Sequence, residues 1–510
     1  MPKHSTQTLS LQDAGHCHST QGTTPAPPLG PVRPLPSGGG LLATLCALLV
    51  HFRTVCRQER VFVRMVALLF AKLATVGRQT VTQHLLALGQ QEADWSAAYR
   101  LFSRQRIDEA LMAQQMLHET LVHAPPAEPY VVGLDATHLP RTSLKMPGCG
   151  WMRSPGTAFF QRGLQPGQRF GHCAFLTPIE QGYSRAIPLR FVPAPPASAA
   201  RPAAAADGPP LCSEWQAGQS ALAWVRQGLD AAGRSDQLLL GVGDGNYDTL
   251  ELWRQLPERT LLLVRTAKNR ALVELPAPPS GRGRPCKYGG RAPAPQAWLQ
   301  VESGWRQCTV TVRGRRLRHR YRVEGPFLRK GAAQRPLFLL VVRGEHYQTG
   351  KQSPKEHKRK PAFYLVSAVE REGGWQLPLP AETLLAWLWQ RWELEVAHRE
   401  MKSGLGVGET QCFSRHGAIL SVQWCVWVYA LLVLVGYRCW GMTGGPPPVG
   451  KWQRRRQRRW SLNTLWRSYR SELWRQTHFV PLSRPSATNW PEIEQCVQML
   501  LNGMLQSGVT

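Results

Sequence analysis

Two aspartates stand directly after short apolar runs that predict buried strands. Asp135 ends the run 131–134, and Asp244 ends the run 238–243. Carboxylates at the ends of neighbouring strands converge on one edge of a sheet, where they repel one another unless a cation lies between them. Taken singly, each aspartate is more often an ordinary turn residue. The motif Asp248-Thr249-Leu250-Glu251 instead has the spacing of a capping box, so its aspartate is predicted to cap a helix.

A third carboxylate lies on a predicted helix among basic side chains. Counted from Arg391, Glu395 is at +4, His398 at +7 and Lys402 at +11, which puts all four within about 60° of one another on a helix. Such a face is commonly only a solvated surface with an i,i+4 ion pair. A carboxylate flanked by cations also suits a metal ligand beside a bound phosphate chain. An adjacent apolar stripe, predicted to dock the helix on the sheet, is formed by Leu394, Ala397, Met401 and Leu405.

The spacing of Arg391, Glu395 and Lys402 resembles the Tyr-Arg-Glu-Lys signature of DDE insertion-sequence transposases. The tyrosine of that signature is replaced here by Leu388. The motif Asp244-Gly-Asn-Tyr-Asp and the run that ends at residue 135 resemble the first two acidic motifs of the same family. The resemblance extends in order over residues 130 to 440.

The resemblance implies an RNase H-like α/β fold in which a mixed sheet is flanked by helices, with Asp135, Asp244 and Glu395 as the catalytic, metal-binding triad. It further implies two Mg²⁺ ions, with Mn²⁺ as an alternative, roughly 4 Å apart on the triad. Water would cleave DNA at the element's ends, and the freed 3′-hydroxyl would attack target DNA. The expected partners are transposon ends, target DNA and a second copy of the chain in a synaptic complex. No phosphate-binding loop motif occurs, so no nucleotide cofactor is expected.

The elements that position these residues are predicted from hydrophobic periodicity. Strands are expected at 130–134, 238–243, 261–264 and 363–366, and a hairpin at 172–178 and 184–191. Helices are expected at 222–232 and, as one long element, at 381–405. The predicted organisation is a disordered tail (1–39), a helical and DNA-binding N-terminal domain (40–127), a core in two parts (128–267 and 362–440), a β-rich basic insertion before the third acidic residue (268–361), and a linker with a basic helical region (441–510).

The composition favours an anionic partner. The 510 residues include 62 Lys and Arg against 33 Asp and Glu, giving a formal net charge of +29. This excess suits nucleic acid or an anionic membrane surface. The cysteines form no Cys-x-x-Cys pair and no secretory signal is recognisable, which favours a reducing cytoplasm and, with the resemblance, a bacterial nucleoid-associated protein.

Three basic or polar segments are candidates for DNA contact, and each has a plainer interpretation as a solvated loop or helix. Residues 77–86 predict a turn followed by a short exposed helix, as in a helix-turn-helix. Arg282 and Arg284, in Gly-Arg-Gly-Arg-Pro, resemble the core of an AT-hook that lies in a narrow minor groove. The run 454–459 is predicted to bind phosphates.

Two other functions compete with a transposase. A catalytically decayed relative would retain the basic surface and act only as a DNA-binding protein. A membrane-associated protein would use residues 417–437, of which none is charged. A span of that length could cross a bilayer, but Ser421, Gln423 and Gly436 interrupt it, and we predict a helix buried in the protein core instead, with no membrane contact.

Overall fold

The computed structural model describes residues 40–154, 163–199, 210–278, 286–344, 346–348, 356–358, 360–445 and 459–483. These residues all belong to one compact unit. The predicted tail at 1–39, Arg282 and Arg284, and most of the basic run 454–459 lie outside the described residues. The domain boundaries therefore stay predictions.

The described α-helices are numbered in chain order. They are α1 (Leu41–His51), α2 (Glu59–Ala74), α3 (Val81–Ala87), α4 (Ser96–Ser103), α5 (Glu109–Leu121), α6 (Glu214–Ala231), α7 (Leu250–Arg254), α8 (Ala381–Gln390), α9 (Trp392–Gly404), α10 (Arg415–Trp440) and α11 (Leu462–Ser483).

The described strands follow the same convention. They are β1 (Tyr130–Pro140), β2 (Cys149–Arg153), β3 (Leu164–Leu176), β4 (Ala186–Pro193), β5 (Leu239–Gly243), β6 (Thr260–Arg265), β7 (Val273–Glu274), β8 (Arg306–Val312), β9 (Arg315–Arg329), β10 (Ala332–Val342), β11 (His346–Gln348), β12 (Glu356–Lys358), β13 (Ala362–Ser367), β14 (Val369–Arg371) and β15 (Gly374–Gln376).

One mixed sheet organises the molecule. Its strands run in the order β2-β3-β1-β5-β6-β13-β10-β9-β7, with β4 paired to β3 and β8 paired to β9. The strands β1, β5 and β6 are parallel to one another. The strands β3 and β13, on either side of these three, are antiparallel to their neighbours. The near-continuous apolar composition of β5 and β6 reflects burial on both faces, as expected of parallel strands covered by helices.

Most of the predicted strands are confirmed, and several are longer than expected. The predicted hairpin forms between β3 and β4, where Gln181 and Gly182 turn the chain with positive φ angles of 51° and 78°. The short strand β2 was not predicted, and it pairs with the extended first half of β3. The β-rich segment after β6 does not form a separate layer, because β10 pairs with β13 and so continues the central sheet.

The uncharged segment forms the middle of α10. Among the described helices, α10 is the one that is long and apolar enough to cross a membrane, yet 89% of its most apolar window is buried within the protein. Its side chains pack against the N-terminal helices, as in the edge-to-face contacts of Trp424 with Phe102 and of Trp427 with Phe52. Burial of this kind is typical of a helix in a protein core, as predicted.

The ends of the described chain are joined to each other. The Glu472 carboxylate on α11 accepts hydrogen bonds from the backbone N–H groups of Leu41 and Leu42, at 2.9 and 2.8 Å, and so caps α1. The Trp466 indole donates to the Leu73 carbonyl of α2 at 3.0 Å. The N-terminal helices therefore share one hydrophobic core with α10 and α11.

The helix predicted to be exposed at residues 77–86 is instead half-buried. Thr80 caps α3 by accepting a hydrogen bond from the N–H of Gln83. Val81, His84 and Leu85 are buried, and the His84 ring packs against Trp424 of α10. The expectation of an exposed helix is wrong because local polarity did not reveal that this short helix contributes to the core.

Gly133 in β1 allows α9 to approach the sheet. A Cβ atom at this position would lie 2.6 Å from Cδ1 of Leu394, which is fully buried. We predict that Gly133→Ala lowers the free energy of unfolding by about 1–3 kcal/mol, because overpacking forces α9 away from the sheet. Gly408→Ala is the matched control, since nothing lies within 4 Å of the added atom. Urea denaturation of both variants checks this, and equal losses would contradict it.

Candidate active site

The two aspartates lie just beyond the point where the parallel pairing of β1 with β5 ends, Asp135 within β1 and Asp244 directly after β5. The register pairs Val132 with Gly241 and Gly133 with Val242, so Asp135 and Asp244 follow two residues later on each strand, side by side. Neighbouring strands are about 4.8 Å apart. The Asp244 side chain also accepts a hydrogen bond from the Asn246 N–H at 2.9 Å, which caps the short 3₁₀ turn after β5. The predicted convergence of these carboxylates on one sheet edge is therefore present in the structure.

The third carboxylate reaches this edge from α9. The single helix predicted over 381–405 is wrong, because the chain breaks into α8 and α9 at Arg391. The Arg391 carbonyl accepts a hydrogen bond from the Leu394 N–H at 3.0 Å, which tightens the turn at this point. The break places Arg391 and Glu395 in the first turn of a new helix beside β1.

Arg391 lies between two of the three predicted acids. Its Nη2 atom is 2.9 Å from Oε1 of Glu395, and its Nη1 atom is 3.6 Å from Oδ2 of Asp135. The guanidinium therefore occupies the position where converging carboxylates need a cation. Sequence spacing predicted the pair Arg391 and Glu395, but the contact with Asp135 required the fold.

The electrostatics of Asp135 show how close the acids are. Burial raises the pKa of Asp135 to about 6; the Ala136 N–H and Arg391 lower it, whereas Asp244 and Glu395 raise it. Asp244 and Glu395 therefore both lie close enough to act on Asp135, and burial makes the ionised state of Asp135 less favourable in the folded protein than in water.

Ion pairs on both sides hold α9 in place. Glu393 is buried and contacts Arg313 of the β8–β9 turn, at 3.5 Å, and Arg459. Glu400 accepts hydrogen bonds from Arg185 at 3.0 Å and from the Tyr429 hydroxyl at 2.7 Å. The predicted apolar stripe is confirmed, since all four of its members are buried: Leu394, Ala397, Met401 and Leu405.

His398 does not face the same opening as Glu395. Its Nε2 atom is 2.8 Å from Nδ1 of His172, a residue of β3 that is paired in register with Asp135. Burial is the main cause that lowers the pKa of both imidazoles, that of His398 to about 3. The two rings are therefore neutral and join α9 to β3 beside Asp135. Helical periodicity placed His398 on the right side of the helix but could not show this buried partner.

The remaining predicted DNA-binding residues are placed only in part. Lys402 is exposed one turn after His398; burial of its stem lowers its pKa, and the nearby Asp135 carboxylate counteracts that effect. Arg282 and Arg284 lie outside the described residues. Of the run 454–459 only Arg459 is described, and it is largely buried against Glu393, so it does not belong to an exposed phosphate-binding patch.

Asp248 is not the helix cap that its motif predicted. Thr249 caps α7, by accepting a hydrogen bond from the Leu252 N–H. The Asp248 side chain is 1% exposed and forms ion pairs with Arg329 at 2.7 Å and Arg270 at 2.6 Å. It also accepts hydrogen bonds from Trp253 and Thr266. The capping motif is displaced by one residue because these four donors surround the Asp248 carboxylate.

A cavity of about 720 Å³ opens beside Asp244 and Arg391. Aromatic side chains form much of its wall, and they are Tyr364, Trp389 and Trp392. Three further cations, Arg265, Arg313 and Lys360, also line the cavity. Sequence reasoning missed these residues because they come from separate strands and loops, and nothing in their local sequence distinguishes them from other basic positions.

A match to a family model shows the family to which the chain belongs. The family model for the DDE superfamily endonuclease matches residues 52–325, which is more than half of the chain. The chain belongs to this superfamily of endonucleases, and the predicted RNase H-like α/β fold is confirmed. The matched range contains Asp135 and Asp244 and ends before Glu395. No curated protein matches the chain.

Family membership makes the chain a nuclease with DNA as its substrate, and domains of this superfamily typically use divalent metals. Among the described residues, no three His, Cys, Asp or Glu side chains stand in the arrangement of a metal cluster. The donor set nevertheless fits hard cations, since Asp135, Asp244 and Glu395 offer only carboxylate oxygens and His398 is occupied by His172. In this structure Arg391 is the cation between two of them.

The two neighbouring aspartates should differ in their effect on stability. We predict that Asp248→Asn lowers the free energy of unfolding by about 3–5 kcal/mol, because it leaves the buried Arg329 and the half-buried Arg270 without their counter-charge. Asp244→Asn should change it by no more than about 0.5 kcal/mol, since asparagine caps a turn equally well. Chemical denaturation in the presence of a chelator measures both. Similar losses in the two variants would show that the Asp248 ion pairs contribute little.

Asp135 should also make stability depend on pH. Its pKa is raised from 3.8 to about 6, so the folded protein binds its proton more tightly and loses stability as pH rises from 4 through 6. We predict that Asp135→Asn raises the melting temperature at pH 7.5 in chelator and that this gain disappears at pH 4. Thermal denaturation across this pH range measures the difference, and a gain that is constant with pH would contradict the assignment.

Proposed function

We propose that this endonuclease is a DNA transposase with Asp135, Asp244 and Glu395 as its acidic triad. One observation carries the proposal: Arg391 contacts both Asp135 and Glu395, and Asp244, which follows the adjacent strand, acts electrostatically on Asp135. The spacing of Arg391, Glu395 and Lys402 within α9 supports the more specific assignment to the Tyr-Arg-Glu-Lys type of insertion-sequence transposase.

The triad would hold two Mg²⁺ ions, or Mn²⁺, through its carboxylate oxygens. Bound there, the ions would supply activation of the attacking oxygen and stabilisation of the leaving oxygen of a phosphodiester. The chain's own contribution is to keep ionised carboxylates close together. Arg391 neutralises Asp135 and Glu395 at neutral pH, and the buried imidazoles of His172 and His398 fix the spacing between sheet and helix.

The cations around the triad would position the DNA backbone. Lys402 lies on the same helix as Glu395, and Arg265, Arg313 and Lys360 line the adjacent cavity beside Asp244. Phosphates that approach the carboxylates over this surface would meet positive charge on each side, which favours an anionic substrate in a site that is itself acidic. We assign Arg391 and Lys402 to the phosphates of the transposon end.

The biological setting follows from the same proposal. Cleavage at an element's ends and strand transfer into target DNA require both ends together, so we propose that two copies act in one synaptic complex. The protein would act on nucleoid DNA in the bacterial cytoplasm. The buried position of α10 supports the absence of a membrane role, as 89% of its apolar window already contacts protein.

The alternative is a decayed relative that binds DNA without cutting it. Loss of selection on catalysis leaves acids free to change, whereas here all three acids are retained at one sheet edge. This feature favours the enzyme.

Cleavage of a labelled DNA end tests the proposal directly. We predict that Glu395→Gln and Asp135→Asn each lower the cleavage rate by at least about 100-fold in Mg²⁺ while duplex binding in chelator is retained, because each removes a metal ligand and leaves the basic surface unchanged. Asp236→Asn is the matched control, since that aspartate is 93% exposed and pairs with Arg259 at the surface.

The outcomes separate the two functions. Metal-dependent cleavage by the wild type that is lost in both triad variants and kept in the control supports the transposase. Binding without cleavage by the wild type in either Mg²⁺ or Mn²⁺ supports the decayed relative. Cleavage that persists in Glu395→Gln would remove that residue from the triad.

A further inference from the structure

A second group of cations lies on the N-terminal helices, outside the acidic edge. Four arginines line a pocket of about 200 Å³ between α2, α4 and the loop that follows α4. They are Arg60, Arg64, Arg100 and Arg106. The pocket floor is apolar, with Val61 and Leu101 buried beneath the guanidinium groups. The spacing of Arg60 and Arg64 puts both on one face of α2.

None of these arginines forms an ion pair in the described part of the chain. Asp94 is near enough to Arg100 for an electrostatic interaction, and Arg60 donates a hydrogen bond to the Gln58 side chain at 3.0 Å. This contrasts with Arg185, Arg329 and Arg459 in the core, each of which contacts a carboxylate. Four positive charges around one pocket repel one another, and a bound anion would offset that repulsion.

The backbone adds to the positive field of the pocket. Gln58 lines the pocket and precedes the first turn of α2, and its side chain does not cap that helix. The N-terminus of this 16-residue helix therefore presents uncapped N–H groups near the arginines, while the Glu59 carboxylate in its first turn is paired with Arg53. Arg57 and Arg104, next to the pocket in sequence, are also exposed and extend the positive surface.

We propose that this four-arginine pocket binds a backbone phosphate of duplex DNA, as a contact separate from the acidic edge. Guanidinium groups match phosphate oxygens with paired hydrogen bonds, which makes arginine suited to this ligand. The pocket volume is below the roughly 300–1,000 Å³ of sites that enclose a whole small molecule, so one phosphate of a long polymer fits better than a free nucleotide. The proposal rests on DNA as the substrate of the endonuclease and does not depend on which residues form the triad.

The proposed contact differs from the one that the sequence offered for the N-terminal helices. The sequence offered residues 77–86 as a candidate reading helix beside the plainer interpretation of a helical hairpin, and four of the seven residues of α3 are buried in the core. The Tyr99 hydroxyl of α4 is 2.9 Å from the Thr82 hydroxyl of α3, so the two helices are connected at the surface. A phosphate bound next to Arg100 would therefore lie near the polar side of α3 without requiring that helix to enter a groove.

Duplex binding in chelator, where no cleavage can occur, tests the proposal. The probe is a fluorescent duplex of about 30 base pairs, titrated by anisotropy at several salt concentrations. We expect Arg64→Gln/Arg106→Gln to weaken binding by at least about tenfold at low salt and to lower the slope of log affinity against log salt by about 0.9 for the phosphate lost. Arg259→Gln is the matched control, because Asp236 already neutralises that arginine.

A melting experiment without DNA separates a binding role from a structural one. Removing two unpaired charges relieves repulsion, so the double variant should melt at the same or a higher temperature than the wild type at low salt. Weaker binding together with a lower melting temperature would overturn the proposal, since the arginines would then support the fold. Unchanged affinity and salt slope would overturn it as well.

A third arm distinguishes DNA from a small anion. Stabilisation of the wild type by ATP at micromolar concentration, lost in the double variant while duplex binding is retained, would show a nucleotide site and reject the proposal. Failure of the triad variants to affect cleavage leaves this test unchanged, because it measures binding in the absence of metal.

Discussion

Mutual repulsion between carboxylates at one sheet edge is the constraint on which this structure depends. Burial already makes the ionised form of Asp135 unfavourable, and Asp244 and Glu395 add to that cost. Arg391 offsets it by contacting two of the three acids. Arg391 stands at the break between α8 and α9, so its side chain and that of Glu395 lie at the start of α9, close to Asp135 of β1.

The repulsion between the acids also requires that α9 be held firmly against the sheet. Gly133 lets Leu394 pack directly on β1, the two imidazoles join α9 to β3, and Glu393 and Glu400 anchor the helix from its other sides. Buried ion pairs add little net stability compared with apolar packing, but breaking one is costly. Their effect here is to define one position for α9, which suits a site in which small displacements alter the chemistry.

The sequence predicted what depends on local pattern. Apolar runs located β1, β5 and β6, and the position of Asp135 and Asp244 after such runs located the sheet edge.

Prediction from the sequence failed where the environment of a side chain depends on residues far away in the chain. Asp248 matched a capping motif, but Arg329, 81 residues away, is its partner. His398 had the right helical phase, yet its partner His172 lies 226 residues away. The periodicity of a helix or strand shows on which face a side chain lies. It shows neither how deeply that side chain is buried nor which residue it contacts.

The net charge of +29 has a structural meaning that composition could not supply. Buried carboxylates form ion pairs with arginines, since Asp248 and Glu393 each contact two of them. Each of these acids is matched by two arginines, so most of the surplus of basic residues is carried by the rest of the chain. The same pairing explains why buried Arg459 belongs to the core, whereas the arginines of α2 and α4 remain available to an anion. An endonuclease built in this way would attract the DNA backbone over a broad surface and admit it to an acidic site only at one edge of the sheet.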